Sequence, residues 1–474
     1  MTTEKNVKTT PMMLQYLEVK EKHKDYLLMY RMGDFYELFF NDAIIASKAL
    51  DIALTHRGTY NEEPIPMCGV PHHAFSSYMP KLIKQGYKVA ICDQVETPEE
   101  AKLRAGNKAV IRREVSRIIT AGTLTEDNLL NSSLNNYLCA INFKDGLEPH
   151  ITVAITDIST GDFILQNWET NSISELQSFL LIKNPSEIII SDKIFNNKKF
   201  ENIITEHKSK LVIKPESFFD SLNATQNLCE LYKIATLDSL GNLSEYEISC
   251  CGAILNYIKL TQIGSIPNLK HPIKQNNSEL LQIDAFSIKN LELFTNLNDD
   301  NLKDASLFDI LDKTQTSIGR RYLRQILSTP LANSKKINER LDIVEFFTQN
   351  KDLLTQIRSQ LSLISDIQRI ISRITFNRAG PKDLQNIDHT LSVSLLLKDL
   401  LESAIKNNIT NPIATIINGL KNFSDITTKL KKAIIDDAPL TTKDSGFIRE
   451  GYNITLDEYR NTQTNAKQII LDLQ

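Results

Sequence analysis

Tyr30-Arg31-Met32-Gly33-Asp34-Phe35-Tyr36-Glu37-Leu38-Phe39-Phe40 is the stretch from which the fold of this chain is read. With a strand's period of two, Tyr36, Leu38 and Phe40 form one apolar face, and Phe35, Glu37 and Phe39 share the other. The first set is a candidate core; the second, which includes a carboxylate, cannot be wholly buried. Gly33-Asp34 supplies turn chemistry just upstream, because Gly takes positive φ freely and Asp bonds its own backbone. Phe35 is therefore expected at or near a hairpin tip. One physical use for an aromatic ring there is a wedge, pushed between base steps from the minor groove at a cost that is least where pairing is already faulty. A carboxylate is unfavourable near phosphates, so Glu37 fits such a site only by bonding a base edge that the wedge exposes. The alternative is that Phe35 is a half-buried strand residue packed under a loop.

Working outward, 474 residues exceed what one core supports and predict about three domains. A hydrophobic share of 41% and a charged share of 24% fit an ordinary soluble protein. The net charge of -4 excludes a wholly basic nucleic-acid coat, so any DNA contact must come from local patches. Residues 101–117 form one, with Lys102, Arg104, Lys108, Arg112, Arg113 and Arg117 against Glu114 alone. This segment is read either as a solvated basic loop or as a phosphate contact, with Lys102, Arg104 and Lys108 as candidate backbone contacts. The six cysteines show no Cys-x-x-Cys spacing, which favours buried thiols in a reduced cytoplasmic protein over disulfides or zinc. No apolar run is long enough to span a membrane, and the polar start carries no signal peptide.

Thr10-Pro11 predicts a helix start, with the helix running to about His23. A strand over Leu27–Arg31, the Gly33-Asp34 turn and a strand from Phe35 follow, and Asn41-Asp42 is expected to cap the next helix. Phe75, Tyr78, Met79, Leu82 and Ile83 recur at helical spacing up to Gly86, and Tyr87–Cys92 reads as a strand. His72 and His73 point apart on any regular backbone and have no third ligand nearby, so they read as a loop or helix entry. Strands are then predicted at Val115–Thr120, Leu138–Phe143, Ile151–Asp157, Gly161–Leu165 and Ile188–Ile190, with helices at Ser172–Leu181 and Ala224–Lys233. Asp157, with Asp192 as a partner, raises a metal-dependent nuclease as an alternative function, set against turn-capping roles for both. Past Ile254 the pattern is almost wholly helical; Ile318, Tyr322, Leu323, Ile326 and Leu327 make one apolar stripe that must end before Pro330.

Several segments, taken in order and spacing, resemble the MutS family of DNA mismatch repair proteins. They are Thr10-Pro11-Met12-Met13, Tyr30 to Phe39, Leu50 to Thr55, Ile65 to Pro71 with His72-His73-Ala74, Ile155 to Phe163, Ser317 to Leu323, Arg378 to Leu384 and Ser445 to Arg460. One departure is Ile326, where members often carry Trp. The resemblance implies a multidomain fold: an α/β mismatch-binding domain at 1–115, a ribonuclease-H-like α/β connector at 116–250, an all-α core or lever at 251–444, and the start of a clamp at 445–474. It also implies DNA mismatch recognition, with Phe35 stacking on the mispaired base and Glu37 hydrogen-bonding to it.

The family's expected ligands are duplex DNA with mismatches or small loops. Its ATP and Mg²⁺ site belongs to a C-terminal domain that is expected beyond residue 474. No glycine here precedes a lysine, so the Gly-x-x-x-x-Gly-Lys-Ser/Thr phosphate cradle has no candidate, and neither an enzyme activity nor a cofactor is expected of this chain alone. A homodimer and a MutL-type partner are further implications of the resemblance. A branched-DNA-binding relative remains the other alternative, opposed by the intact Phe35-Tyr36-Glu37.

Overall fold

The computed structural model describes residues 10–106, 109–145, 149–169, 172–263, 266–275, 279–296, 306–405 and 412–472, which leaves Lys108 outside. The chain divides into two units, residues 1–275 with 284–287, and 276–283 with 288–474.

The first unit holds two six-stranded sheets. Helix α1 (Pro11–Lys22) starts as the sequence predicts, with the Thr10 hydroxyl accepting the Met13 N–H at 3.3 Å. Strands β1 (Leu27–Met32) and β2 (Phe35–Phe39) form the expected hairpin, in which Met32 stands opposite Phe35. Gly33 turns it with φ +58. Helix α2 (Phe40–Leu50), a second hairpin of β3 (Thr55–Tyr60) and β4 (Glu63–Pro71), helix α3 (Phe75–Lys84), β5 (Val89–Gln94), helix α4 (Pro98–Ala105) and β6 (Arg113–Ile119) follow. The sheet order is β3-β4-β2-β1-β5-β6, antiparallel throughout except for the β1/β5 pair.

Helices cover this sheet on both faces. Leu38, Tyr36 and Leu27 pack with Leu50, Met79 and Leu82 from α2 and α3. On the other face Phe39 and Tyr30 pack with Met13 and Tyr16 of α1. Two local expectations are corrected here. Phe40 does not continue the Tyr36–Leu38 face: its φ of +54 breaks the strand and starts α2. Asp42 does not cap that helix; it is buried, accepting the Leu28 N–H at 2.9 Å and the Lys20 ammonium at 2.9 Å. A buried carboxylate needs partners, and a cation plus a strand N–H satisfy it better than an exposed helix end would.

The second sheet contains β7 (Tyr137–Lys144), β8 (His150–Asp157) and β9 (Asp162–Glu169) as an antiparallel meander. After helix α5 (Ile173–Lys183), β10 (Glu187–Ser191) returns parallel to β7. Short helices α6 (Asp192–Phe195) and α7 (Glu201–Glu206) then lead to β11 (Leu211–Lys214), parallel to β10. The order β11-β10-β7-β8-β9-β12, with β12 at Ile273–Lys274, has three antiparallel strands followed by parallel returns, as a ribonuclease-H-like sheet requires. Helices α8 (Ser221–Tyr232) and α9 (Glu245–Thr261) close one face, burying Ile254, Tyr257 and Ile258 against Leu138, Ala154 and Phe163. Strand β6 thus straddles residue 115, and α9 straddles residue 250.

The second unit is helical, apart from the isolated bridges Leu280–Leu331 and Ile434–Ile448 among its described residues. Its longest helix, Pro381–Ile405, carries Val393, Leu397 and Leu401 into a core with Ile357, Ile413 and Ile417. The helix Ser317–Ser328 departs from its apolar stripe: Tyr322 is 54% exposed while Arg321 is buried, with its guanidinium forked onto Asp366 at 2.6 and 3.0 Å. A planar guanidinium matched to a carboxylate displaced the tyrosine from the inner position.

Candidate nucleic-acid interface

Alternation along β2 sends Phe35, Glu37 and Phe39 to the α1 side of the first sheet. Phe39 lies under Tyr16, with ring centroids 5.0 Å apart, and is fully buried. Toward the hairpin end the cover runs out: Glu37 is half-buried and Phe35 is 48% exposed. Phe35 stands in register with Pro71 on one side and Met32 on the other, so its backbone is fixed by paired strands while its ring faces outward. The hairpin end is closed by the His72 N–H donating to the Asp34 carbonyl at 2.7 Å. An apolar ring presented by a rigid sheet can enter a cleft or stack on a flat partner with little ordering cost.

From the opposite face Tyr36 anchors the same strand. Its hydroxyl donates to Asp93 at 2.7 Å, its ring lies 5.3 Å from Phe75 and 5.4 Å from His72, and burial pushes its phenol well above the ordinary value. His72 and His73 lie in a single 3-10 turn before α3, as a helix entry should.

Glu37 has a partner that the sequence did not reveal. The Arg57 guanidinium donates from one nitrogen to both carboxylate oxygens at 2.6 Å. Arg57 sits on β3 where the register with β4 shifts between His56 and Thr59, and Gly58 beside it has φ +69. Such a bulge re-aims a side chain, here across the sheet to β2. The only sequence signals were the Arg57-Gly58 dipeptide and the turn residues Asn61-Glu62, which mark the β3–β4 hairpin without showing where Arg57 points. Burial raises the Glu37 carboxyl above its ordinary range, and Arg57 acts in the opposite direction.

The basic segment after β5 folds into separate roles. Lys102 is exposed on α4, whose start is fixed by a capping box of Thr97 and Glu100. Arg104 is forked onto Glu96 at 2.7 and 3.0 Å, which holds that carboxyl down near 2, and the same carboxylate accepts the Arg112 N–H. Arg113 is buried, donating to the Arg31 carbonyl at 2.6 Å and lying over the Tyr30 ring. Arg117 pairs with Glu126. Lys102 and Arg104 therefore share one short helix, whereas Arg113 and Arg117 belong to the fold itself.

Asp157 and Asp192 do not converge. Asp157 is fully buried, accepting from the Ser159 N–H and hydroxyl at 2.9 and 2.6 Å, and from Asn135 and the Asn136 N–H at 3.0 Å each. Asp192 is exposed at the start of α6 and accepts the Lys193 N–H. Among the described residues no group of three or more His, Cys, Asp or Glu is arranged to hold a metal ion. All six cysteines are unpaired thiols, and Cys229 alone is not buried. No helix among the described residues is long and apolar enough to cross a membrane.

An exposed ring beside a carboxylate on a two-faced sheet, a ribonuclease-H-like sheet next to it and a helical unit after them correspond to a three-part architecture. MutS domain I matches residues 10–128, MutS domain II residues 136–271 and MutS domain III residues 287–474. The chain belongs to the MutS family. It is 40% identical over 98% of its length to the DNA mismatch repair protein MutS of Ehrlichia chaffeensis, covering 56% of that relative. It is also 40% identical over 98% of its length to those of Wolbachia pipientis wMel and Orientia tsutsugamushi, covering 57% and 52% of them. The chain thus spans about half the length of the curated relatives it matches.

Proposed function

We propose that this chain performs the DNA-contacting step of mismatch repair: it binds duplex DNA with mismatches or small loops, Phe35 enters at the mispair, and Glu37 bonds the base so exposed. The observation that carries the reading is Phe35, 48% exposed at the closed end of a hairpin and two residues from a half-buried carboxylate on the same face. A ring fixed in that way gains most where a base step opens easily, because less unstacking opposes it. Exposed Lys102, with Arg104 on the same helix, is assigned to phosphates, where binding is sequence-independent and salt-sensitive. Work in the cytoplasm, a homodimer and a MutL-type partner complete the reading by family membership. ATP and Mg²⁺ are assigned no residues here, since no Gly-Lys pair exists in the sequence for a phosphate cradle. The buried, fully bonded Asp157 disfavours the nuclease reading.

Fluorescence anisotropy at fixed salt with matched and single-mismatch duplexes tests it. Stacking of one ring on a base is worth about 1–3 kcal/mol, so Phe35→Ala should erase a preference of roughly tenfold to a hundredfold while weak binding to both duplexes persists. Full mismatch preference in Phe35→Ala would return Phe35 to a packing role; stronger binding to junctions than to mismatches would favour the branched-DNA reading.

A further inference from the structure

The bond between Arg57 and Glu37 bears on a difficulty inside the proposed interface. DNA presents a dense row of phosphate charge, and a bare carboxylate facing it raises the energy of every complex, matched or not. Glu37 is not bare. Both of its oxygens are engaged by one Arg57 nitrogen at 2.6 Å, and the Arg57 side chain is 45% exposed while that of Glu37 is 13% exposed. The cation therefore lies on the solvent side of the pair. Each carboxylate oxygen has two acceptor positions, so the pair leaves Glu37 able to accept from a base N–H.

A bulge in β3 supplies the geometry that makes the pair. Arg57 and Gly58 occupy the bulge of β3, opposite the single residue Ile65 of β4, and Gly58 takes the positive φ that such a bulge needs. On a regular strand Arg57 and Thr59 would share a face; the extra residue breaks that alternation.

We propose that Arg57 is a specificity-determining positioning residue: it neutralises the Glu37 carboxylate and fixes its orientation, so that a duplex can approach closely enough for the base edge to be read. The proposal rests on the assignment of Phe35 and Glu37 to the mispair. A plain phosphate contact by Arg57, independent of Glu37, is the competing role, and the two predict different couplings.

The test is a double-mutant cycle with the full chain, titrating matched and mismatched duplexes with the wild type, Arg57→Met, Glu37→Gln and the double variant. If Arg57 masks and orients Glu37, Arg57→Met should weaken binding to both duplexes by about tenfold and narrow the mismatch preference in the wild-type background, whereas in Glu37→Gln, where no charge remains to mask, the loss should be about threefold or less. Arg57→Lys keeps the charge, and one ammonium can engage both carboxylate oxygens as the single guanidinium nitrogen does, so it should recover most of the affinity and of the discrimination. Losses that agree within about twofold in the two backgrounds would overturn the proposal and leave Arg57 as an independent phosphate contact. Thermal melts of each variant separate these outcomes from misfolding, because a partly exposed pair should leave the melt nearly unchanged. The underlying reading fails separately, when the wild type itself shows no mismatch preference or Phe35→Ala leaves the preference intact, whatever the coupling between Arg57 and Glu37.

Discussion

Glu187, at the start of β10, accepts the backbone N–H of Gly122 at 3.0 Å, joining the second sheet to the turn that leads out of the first. The same buried carboxylate receives the Thr120 hydroxyl, the Tyr257 hydroxyl at 3.0 Å and the Lys88 ammonium at 3.1 Å. Lys88 immediately precedes β5 and Tyr257 lies on α9, so four segments meet on one side chain. A Cβ on Gly122 would stand 2.9 Å from Glu187 Oε2 and 3.0 Å from Leu138 Cδ1, which explains the glycine by crowding and not by backbone angle.

Removing the acceptor should therefore be costly. Glu187→Ala leaves an ammonium, two hydroxyls and an N–H without their partner, and should destabilise the chain by about 3–5 kcal/mol. Gly122→Ala forces the same carboxylate aside and should cost about 1–3 kcal/mol. Urea melts followed by circular dichroism measure both; midpoints within error of the wild type would show that the joint contributes nothing to stability.

Gly252 gives a competition between two known effects. Alanine in its place would gain up to about 1 kcal/mol of helix propensity. Its Cβ would, however, lie 2.2 Å from Ala224 Cβ and 3.0 Å from Ala224 Cα, where α8 and α9 cross. Overpacking costs about 1–3 kcal/mol, so Gly252→Ala should be net destabilising. The double variant Ala224→Gly with Gly252→Ala should recover part of the loss in the same melts. A stabilised single variant would contradict this close helix approach.

Lys183, at the end of α5, is 8% exposed and has its ammonium 5.9 Å from the Tyr137 ring centroid. Burial pulls it down to about 8, partly opposed by Asp162. The sign follows from linkage: between about 8 and the unfolded value near 10.5, the unfolded chain holds a proton that the folded chain has released, so this residue's contribution to stability falls as pH drops through that window. Lys183→Met should raise stability at pH 7 by about 1–3 kcal/mol, and the advantage should shrink by pH 10. The quantity to measure is variant minus wild type at each pH; a difference that does not change with pH would refute the assignment.

Glu37→Gln tests the other half of the mispair site. Arg57 already offsets the carboxylate charge and the amide can still bond a base edge, so overall duplex binding should hold or tighten slightly. Discrimination should narrow by up to about tenfold, because a neutral amide bonds a base edge less strongly than a carboxylate does. Unchanged discrimination in a matched-versus-mismatched titration would mean that Glu37 does not reach the base.

What the sequence determined by itself lies within short windows. The β1–β2 hairpin followed from Gly33-Asp34 and a period of two; α1 followed from Thr10-Pro11, and α3 from apolar residues at three and four apart. Those signals are local because turn angles, caps and side-chain periodicity depend on a few neighbouring residues. The Ser317–Ser328 helix was legible in the same way, yet which side of it faces inward was not: Arg321 is held by Asp366, a partner 45 positions away. The same limit applied wherever a charge had to choose its partner. Asp42 turned from the expected cap to Lys20 and the Leu28 N–H, Arg104 turned back to Glu96, and Arg57 reached across β4 to Glu37. Position along the chain does not encode these pairings, because a buried or half-buried charge takes whichever counter-charge the assembled sheets and helices bring within about 3 Å.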